Sequence, residues 1–236
     1  MPEVNAARAR FDRSLIGDLD EPVQRFFAHA IRDGAALGGG VRLSMTGHIN
    51  VGAWLSFSAE QTADGRSFAW RARVGCGPIT PLRVVDRYAD SAGVTEGRLG
   101  RLRLFRADDL DTTRSAAARA ALESVVFAPA SVLPSLGVSW SAESENLIVG
   151  RFDLSPEHPE VHARIDGRGA LVTVSALRWG NAGGRTFGYI PCGCEVHAER
   201  RFGDLVVPSS LTVGWWFDTP SYAPFFKAHI DCSTQY

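Results

Sequence analysis

The chain has 236 residues, of which 45% are hydrophobic and 22% are charged, a composition that excludes an intrinsically disordered chain. Its 25 Lys and Arg residues nearly balance its 26 Asp and Glu residues, so the net charge of -1 gives no overall attraction to nucleic acid or to an anionic membrane. The 24 glycines and 12 prolines form no low-complexity run and indicate many turns. The composition therefore predicts a turn-rich, folded, soluble protein.

Two helical patterns open the chain within residues 1–33. Residues 4–16 are rich in Ala and Arg, and residues 21–31 place apolar side chains at helical spacing after Asp20, a plausible N-cap. The first residues contain neither the apolar core nor the cleavage site of a secretory signal, so we expect a cytoplasmic protein. No apolar run approaches the roughly 18 residues of a membrane-spanning helix, so no span is expected.

From residue 41 the hydrophobic period changes from about 3.6 to 2, which is typical of half-buried strands. The predicted strands fall within 41–106 and 137–231, and residues 94–105 are interpreted as one of them. Their links are short and rich in Gly, Pro, Asp and Ser, which favours antiparallel hairpins over parallel crossovers. The pattern therefore predicts an antiparallel meander.

One helical segment interrupts the meander. Residues 110–127 are Ala-rich, follow Asp108 and Asp109, and end before Pro129, and a second short turn follows at 130–134. A helix inserted into an antiparallel sheet needs an apolar surface, and the concave face of the sheet provides one.

These elements predict an α+β fold that is mostly β, in one domain over residues 1–236. About twelve strands in a twisted antiparallel sheet curl or close, so we expect a barrel or half-barrel with the 110–134 segment over its cavity. A barrel of that size leaves an interior that can hold a ligand.

The strand at 187–202 carries the strongest candidate for catalysis. Alternation places Glu195 and His197 on a polar face opposite Cys192 and Cys194. In a cavity, a carboxylate two residues from an imidazole is a workable acid/base pair, whereas on the outside it is an ordinary charged face. The spacing leaves both alternatives open, and we take Glu195 and His197 as candidate catalytic residues.

Cofactor and metal signatures are absent from the sequence. No phosphate-binding glycine loop, nucleophile elbow or HExxH motif occurs, so neither a cofactor nor a metal is expected. Cys192 and Cys194 share a face and His197 takes the other, which favours buried thiols in a core layer over a zinc or redox site.

Arginines and aromatic residues supply further candidates. Arg71 and Arg73 either form a solvated ladder or bind an oxyanion or carboxylate in the cavity. Aromatic side chains on several strands serve either core packing or the wall of an apolar ligand site. The candidate ligand-binding residues are Trp70, Tyr88, Trp179, Tyr189, Trp215 and Trp216.

Several ordered motifs resemble a bacterial domain-of-unknown-function family, number 6544: WRARVG (70–75), VDRY (85–88), FAPASVLP (127–134), LRWGN (177–181), FGYIPCGCEVHAERRFG (187–203) and VGWWFDT (213–219). The resemblance covers nearly the whole chain and implies no activity. This sequence departs from the family pattern at Cys192, where relatives more often carry Phe, which argues against a family-wide thiol role. The predicted shape is also similar to the half-barrel lipoprotein carriers of the bacterial envelope, an analogy of fold alone.

The sequence therefore predicts an aromatic-lined cavity that binds an apolar or amphipathic small molecule. Our leading hypothesis is a cofactor-independent cyclase or isomerase of specialised metabolism, in which the walls position the substrate. The alternatives are a non-catalytic lipid or small-molecule carrier or sensor, and a structural module whose barrel is packed solid. A homodimer is possible.

Overall fold

The computed structural model describes residues 9–76, 79–184 and 186–236 and shows an α+β fold that consists mostly of antiparallel strands. The helices are α1 (Glu21–Ala30) and α2 (Leu110–Phe127), with 3-10 turns at Arg13–Ile16, Pro129–Ser131 and Pro134–Leu136. The strands are β1 (Val41–Asn50), β2 (Trp54–Ala63), β3 (Phe68–Cys76), β4 (Ile79–Ala89), β5 (Ala92–Leu99), β6 (Leu102–Ala107), β7 (Ser139–Ser144), β8 (Leu147–Arg151), β9 (Glu160–Ile165), β10 (Leu171–Gly180), β11 (Gly188–Phe202), β12 (Leu205–Trp215) and β13 (Ala223–Gln235). Neither helix combines the length and the apolar character that crossing a bilayer requires.

All thirteen strands form one antiparallel sheet in the order β6-β5-β4-β3-β2-β1-β13-β12-β11-β10-β9-β8-β7. The chain thus builds two meanders, and the first strand pairs with the last at the centre of the sheet, from Val41 opposite Gln235 to Ile49 opposite Phe226. Strands β6 and β7 lie at the two edges and are not paired with each other. The sheet is therefore a curved, open half-barrel, as the strand number predicts.

Helix α2 connects the two edge strands and lies in the concave face, where it contacts β10, β5, β4, β2, β12 and β9. Asp109 caps its first turn by accepting a hydrogen bond from the Thr112 backbone at 2.8 Å. Its many alanines allow a close approach to the sheet. At Gly93 of β5, an added Cβ would lie 2.7 Å from the Thr113 Cα, so the contact requires glycine.

Helix α1 covers another part of the half-barrel with its apolar face. Phe26 and Phe27 pack against Trp140 of β7, with ring centroids 5.7 and 5.3 Å away. Asp20 is the N-cap residue as predicted, but its carboxylate accepts a hydrogen bond from the Ala142 backbone instead of capping the helix. The start of α1 is thereby held against β7.

Two predicted elements are wrong. The predicted helix at 4–16 is reduced to the 3-10 turn at 13–16, because the Phe11 backbone bonds with Gly34 and Ala35 rather than along a helix; residues 4–8 lie outside the described part. The predicted strand at 94–105 is the hairpin of β5 and β6, which turns at Gly100 with a φ of 59°. The Arg/Leu alternation continues across that turn and conceals it.

Candidate functional site

A cavity of about 440 Å³ lies between the concave face of the sheet and α2. Apolar side chains from both meanders and from the helix form most of its wall: Met45, Ile49, Val74, Leu82, Val84, Phe105, Leu122, Val126, Phe127, Val174, Leu211, Val213, Phe225 and Phe226. Ligand pockets are typically about 300–1,000 Å³ and mostly apolar with a few polar groups. The cavity has the size and lining of a site for a small apolar molecule.

The pairing of β10, β11 and β12 shows which face of each strand lines this cavity. Cys194 lies opposite Val174 on one side and Val213 on the other, and Cys192 lies opposite Trp215. All five line the cavity. Cys192 and Cys194 are therefore buried thiols in its wall, as the alternation of the strand favours.

Aromatic rings form one side of the cavity. Phe226 stacks on Phe57 at 4.9 Å between centroids and lies 6.2 Å from Trp70 in a T-shaped arrangement. Trp215 stacks on Phe225 at 5.6 Å. Such rings offer a large apolar surface at fixed positions, which suits an apolar ligand.

One polar cluster stands in this apolar wall. Arg119 of α2 donates to Glu123 one turn later, at 2.7 Å, and to Asp86 of β4, at 2.5 Å. Gln61 of β2 donates to the second oxygen of Glu123 at 2.7 Å, and Thr95 of β5 donates to Asp86 at 2.9 Å. The cluster thus joins α2 to three strands, and its side chains satisfy one another's hydrogen bonds.

Burial changes the acid/base properties of this cluster. The side chains of Arg119, Glu123 and Asp86 are only about 17% exposed. Desolvation raises the pKa of Glu123, although the charge of Arg119 acts in the opposite direction. Burial alone would lower the pKa of Arg119, but the adjacent charges of Glu123 and Asp86 outweigh it and the pKa is raised. Arg119 is thus held as a cation.

Arg178 of β10 is a second cation in the cavity wall. Its Nε donates to the backbone oxygen and the hydroxyl of Ser115, at 3.1 and 3.2 Å, and its guanidinium lies 5.0 Å from the Trp215 ring centroid. Its terminal nitrogens bond to no oxygen among the described residues. Desolvation raises the pKa of the neighbouring Cys192 thiol, and the charge of Arg178 and a hydrogen bond from it oppose that shift. A guanidinium carries five N–H donors, so Arg178 is a cation in the wall with further donors for a ligand.

A second polar cluster fastens the first half of α2 to the sheet outside the cavity. The Arg114 guanidinium lies 3.5 Å from the Trp179 ring centroid and donates to Glu157 at 2.5 Å and to the Tyr189 hydroxyl at 2.8 Å. Tyr189 donates to Glu157 at 2.7 Å, and the Trp179 indole donates to Asp111 at 2.7 Å. These contacts hold the helix in place over the cavity.

Two of the six predicted ligand-binding residues line the cavity, namely Trp70 and Trp215. Trp179 and Tyr189 instead belong to the cluster around Arg114. Tyr88 is buried and donates to the Ser155 backbone at 2.6 Å. Trp216 follows the end of β12 with a φ of 52°, so it leaves the alternation that places Trp215 in the wall.

The predicted catalytic residues lie outside the cavity, on the convex face. Glu195 accepts a hydrogen bond from Tyr222 at 3.3 Å in an open groove, and His197 bonds with Thr212 at 2.8 Å. Arg71 and Arg73 are exposed on β3 and alternate with the cavity-lining Trp70 and Val74. Of the two alternatives that the sequence left open for these four side chains, the structure shows the outward one, because the apolar and thiol-bearing sides of β3 and β11 are the ones that face α2.

The cavity's polar residues were not singled out from the sequence. Asp86, Arg119 and Glu123 lie on two elements separated in the chain, and no local motif joins them. The available signal was the Arg119–Glu123 pair, two opposite charges four residues apart in an otherwise small and apolar helix.

Among solved structures, the matches have low identity. A DUF1329 family protein from Desulfovibrio piger matches with a TM-score of 0.48 and 7% identity over 84% of this chain and 86% of that chain. A putative outer membrane lipoprotein-sorting protein domain from Vibrio parahaemolyticus matches with a TM-score of 0.46 and 7% identity, over 84% of this chain and 85% of that chain. A LolA superfamily protein from Nitrosomonas europaea matches with a TM-score of 0.47 and 4% identity, over 91% of this chain and 92% of that chain. These matches establish neither an activity nor a ligand for this chain.

In sequence, no curated protein matches the chain. One family profile does, and it covers residues 9–228, which include every strand and helix up to β13. The resemblance read from the Trp- and Pro-bearing motifs is thereby confirmed. Since the match spans nearly all of the 236 residues, this protein belongs to the Family of unknown function (DUF6544).

Proposed function

We propose that this protein is a non-catalytic carrier of an apolar or amphipathic small molecule, which it holds between α2 and the concave face of the sheet. The observation that supports this most directly is the cavity of about 440 Å³ with a mostly aliphatic and aromatic wall. A protein packed solid would leave no such volume, since natural cores have few voids larger than a water molecule. Burial of a ligand's apolar surface there would drive binding.

The arrangement of polar groups favours a carrier over a cyclase or isomerase. A general acid or base has to come within hydrogen-bond reach of the atom it protonates or deprotonates. Glu195 and His197 point away from the cavity, and Arg119, Asp86 and Glu123 already bond to one another. Among the described residues, the wall would therefore present a guest with no free acid/base pair.

The donors of Arg178 favour an amphipathic guest. A cation in a wall that is otherwise apolar favours a ligand with a carboxylate or another oxygen acceptor at one end. The rest of such a ligand would lie along the aliphatic and aromatic side chains of α2, β1 and β12. A long-chain carboxylate has both parts, and we take it as the ligand class.

A matched pair of tryptophan substitutions tests this proposal. Val213 lines the cavity, whereas Val172 of β10 is exposed outside it, so Val213→Trp fills the cavity and Val172→Trp does not. After removal of co-purified lipid, hexadecanoic acid should bind the wild type and Val172→Trp alike. Val213→Trp should bind at least tenfold more weakly, about 1.4 kcal/mol or more.

Equal binding by Val213→Trp and the wild type would contradict the proposal, provided that both unfold at similar temperatures.

A second readout separates carrier from enzyme. Ligand released from the purified protein is compared by mass spectrometry before and after prolonged incubation with the folded protein. A carrier leaves its mass and isomer composition unchanged, whereas an isomerase or cyclase changes the isomer composition.

A further inference from the structure

The hairpin of β5 and β6 exposes an unusual run of side chains. All nine residues from Arg98 to Arg106 are exposed, in the sequence RLGRLRLFR. An antiparallel strand over a core normally hides one of its two faces. Here four large apolar side chains and four arginines are in contact with solvent: Leu99, Leu102, Leu104, Phe105, Arg98, Arg101, Arg103 and Arg106.

This run lies at the opening of the cavity. Phe105 and Val51 both line the cavity, yet they are 44% and 65% exposed, so the cavity reaches solvent where they stand. Val51 belongs to the β1–β2 turn, which antiparallel pairing places at the same end of the sheet as the β5–β6 turn. Trp54, at the start of β2, is 41% exposed at the same end of the sheet, where its ring lies 5.0 Å from the Lys227 ammonium. We call these exposed apolar residues the mouth rim: Val51, Trp54, Leu99, Leu102, Leu104 and Phe105.

The hairpin carries more positive than negative charge. Arg98 and Arg106 pair with Glu96, and Arg106 also pairs with Asp108. Arg101 and Arg103 form no ion pair within the part of the chain that the structure describes. The overall charge of -1 therefore conceals a local excess of positive charge beside the mouth rim.

We propose that the mouth rim and its arginines dock onto the surface of an anionic lipid bilayer, with the opening of the cavity facing the lipid. Exposed apolar side chains enter the interfacial region, tryptophan is favoured there, and arginines pair with lipid phosphates. This proposal rests on the carrier function, because a carrier takes up and releases its cargo where its opening meets the membrane. The assignment is to a docking surface, not to a membrane-spanning one.

A second copy of the chain is the competing occupant, since β6 is an edge strand that pairs with β5 on one side only. Pairing two β6 strands would bring the arginines of one copy next to those of the other. Like charges on adjacent strands destabilise pairing, whereas lipid phosphates complement them. Charge therefore favours the membrane over self-association.

Vesicle flotation tests the proposal with full-length protein. Wild type should float with vesicles of equimolar phosphatidylglycerol and phosphatidylcholine, more weakly with phosphatidylcholine alone, and less as salt concentration rises. The double variant Arg101→Gln/Arg103→Gln should bind the anionic vesicles roughly 20- to 30-fold more weakly, since each arginine contributes about fivefold. The matched control Arg71→Gln/Arg73→Gln removes two alternating arginines from the convex face and should bind as wild type.

The apolar part of the surface has its own variant, Leu102→Ser/Leu104→Ser, which should also weaken vesicle binding while leaving hexadecanoic acid binding in solution unchanged.

Normal binding of the acid without flotation of the wild type would overturn docking and leave the carrier function standing. Flotation that is lost equally in both arginine double variants would also overturn it. Concentration-dependent dimers through β6, with no flotation, would assign the edge to self-association instead. Flotation without binding of the acid would refute the carrier function alone.

Discussion

The guanidinium of Arg119 and the carboxylate of Asp86 form an ion pair across the boundary between α2 and the sheet, with nitrogen and oxygen 2.5 Å apart. Both side chains are about 17% exposed. Arg119 also covers the ring of Phe68, with its guanidinium carbon 4.4 Å from the centroid. This pair is a specific polar link between the helix and the strands that enclose the cavity. The carboxylate of Glu123 depends on the same guanidinium to balance its charge.

Removal of the cation should destabilise the protein strongly. Arg119→Met leaves Asp86 and Glu123 buried without their partner, which typically costs about 3–5 kcal/mol. Urea unfolding measures that cost. The triple variant Arg119→Met/Asp86→Leu/Glu123→Leu removes the stranded charges and should recover most of the loss. A loss below about 1 kcal/mol in Arg119→Met would show that the pair is solvated rather than buried.

Glu123 should make stability depend on pH in a defined direction. Burial raises its pKa in the folded protein, so between the ordinary carboxyl value and the raised value the folded state holds a proton that the unfolded chain loses. The free energy of unfolding therefore falls as pH rises through that window.

The comparison with Glu123→Gln isolates this effect. The variant cannot titrate at this position, so its stability relative to wild type should increase from acid to neutral pH, by about 1.4 kcal/mol for each pH unit of the shift. Urea unfolding at a series of pH values measures the difference. A constant difference would show that Glu123 keeps its ordinary pKa in the folded protein.

Much of the fold follows from alternation in the sequence. The period-2 pattern predicts nearly every strand of the half-barrel, and the Ala-rich run predicts α2, because each pattern reports which side of an element is buried. The β5–β6 turn was missed because Arg and Leu alternate on both sides of Gly100, although both faces are exposed. Alternation cannot distinguish a strand over a core from a hairpin in solvent.

The site was less predictable for a different reason. Alternation shows that Glu195 and Cys194 point in opposite directions, but the direction of curvature decides which of them faces the cavity, and that is a property of the whole sheet. The acid/base potential of Glu195 and His197 made them candidates without showing which side of the sheet they occupy. Arg119 and Asp86 meet only because α2 returns across the concave face, a contact that local sequence does not encode.

The reactivity of the cysteine thiols tests whether the cavity wall is buried. Desolvation raises the pKa of Cys194 to about 12, whereas Cys232 is exposed. Since the thiolate is the reactive form, iodoacetamide at neutral pH should modify Cys232 at least a hundredfold faster than Cys194, with Cys192 also protected. Peptide mass spectrometry over time measures the order. Modification of Cys194 at the rate of Cys232 in folded protein would contradict the burial of Cys194 in the cavity wall.

Arg178 should determine which end group the cavity accepts. Arg178→Gln keeps a donor but removes the charge, so hexadecanoic acid should bind roughly 10- to 100-fold more weakly, consistent with about 1.5–3 kcal/mol for a hydrogen bond to a charged group. Binding of hexadecanol, which carries no charge, should change little. Calorimetric titration with both ligands gives the comparison. Equal losses for the acid and the alcohol would assign Arg178 a structural role instead.

Met45 provides the most direct measurement of whether a guest occupies the cavity. Its side chain is 2% exposed and lines the cavity from β1, and the chain has only one other methionine, so a methyl-labelled sample gives a simple spectrum. With hexadecanoic acid bound, we expect intermolecular nuclear Overhauser effects between the acyl chain and the Met45 methyl group, and their loss in Val213→Trp. Saturable binding that produces no such effect at Met45 would show that the ligand lies elsewhere.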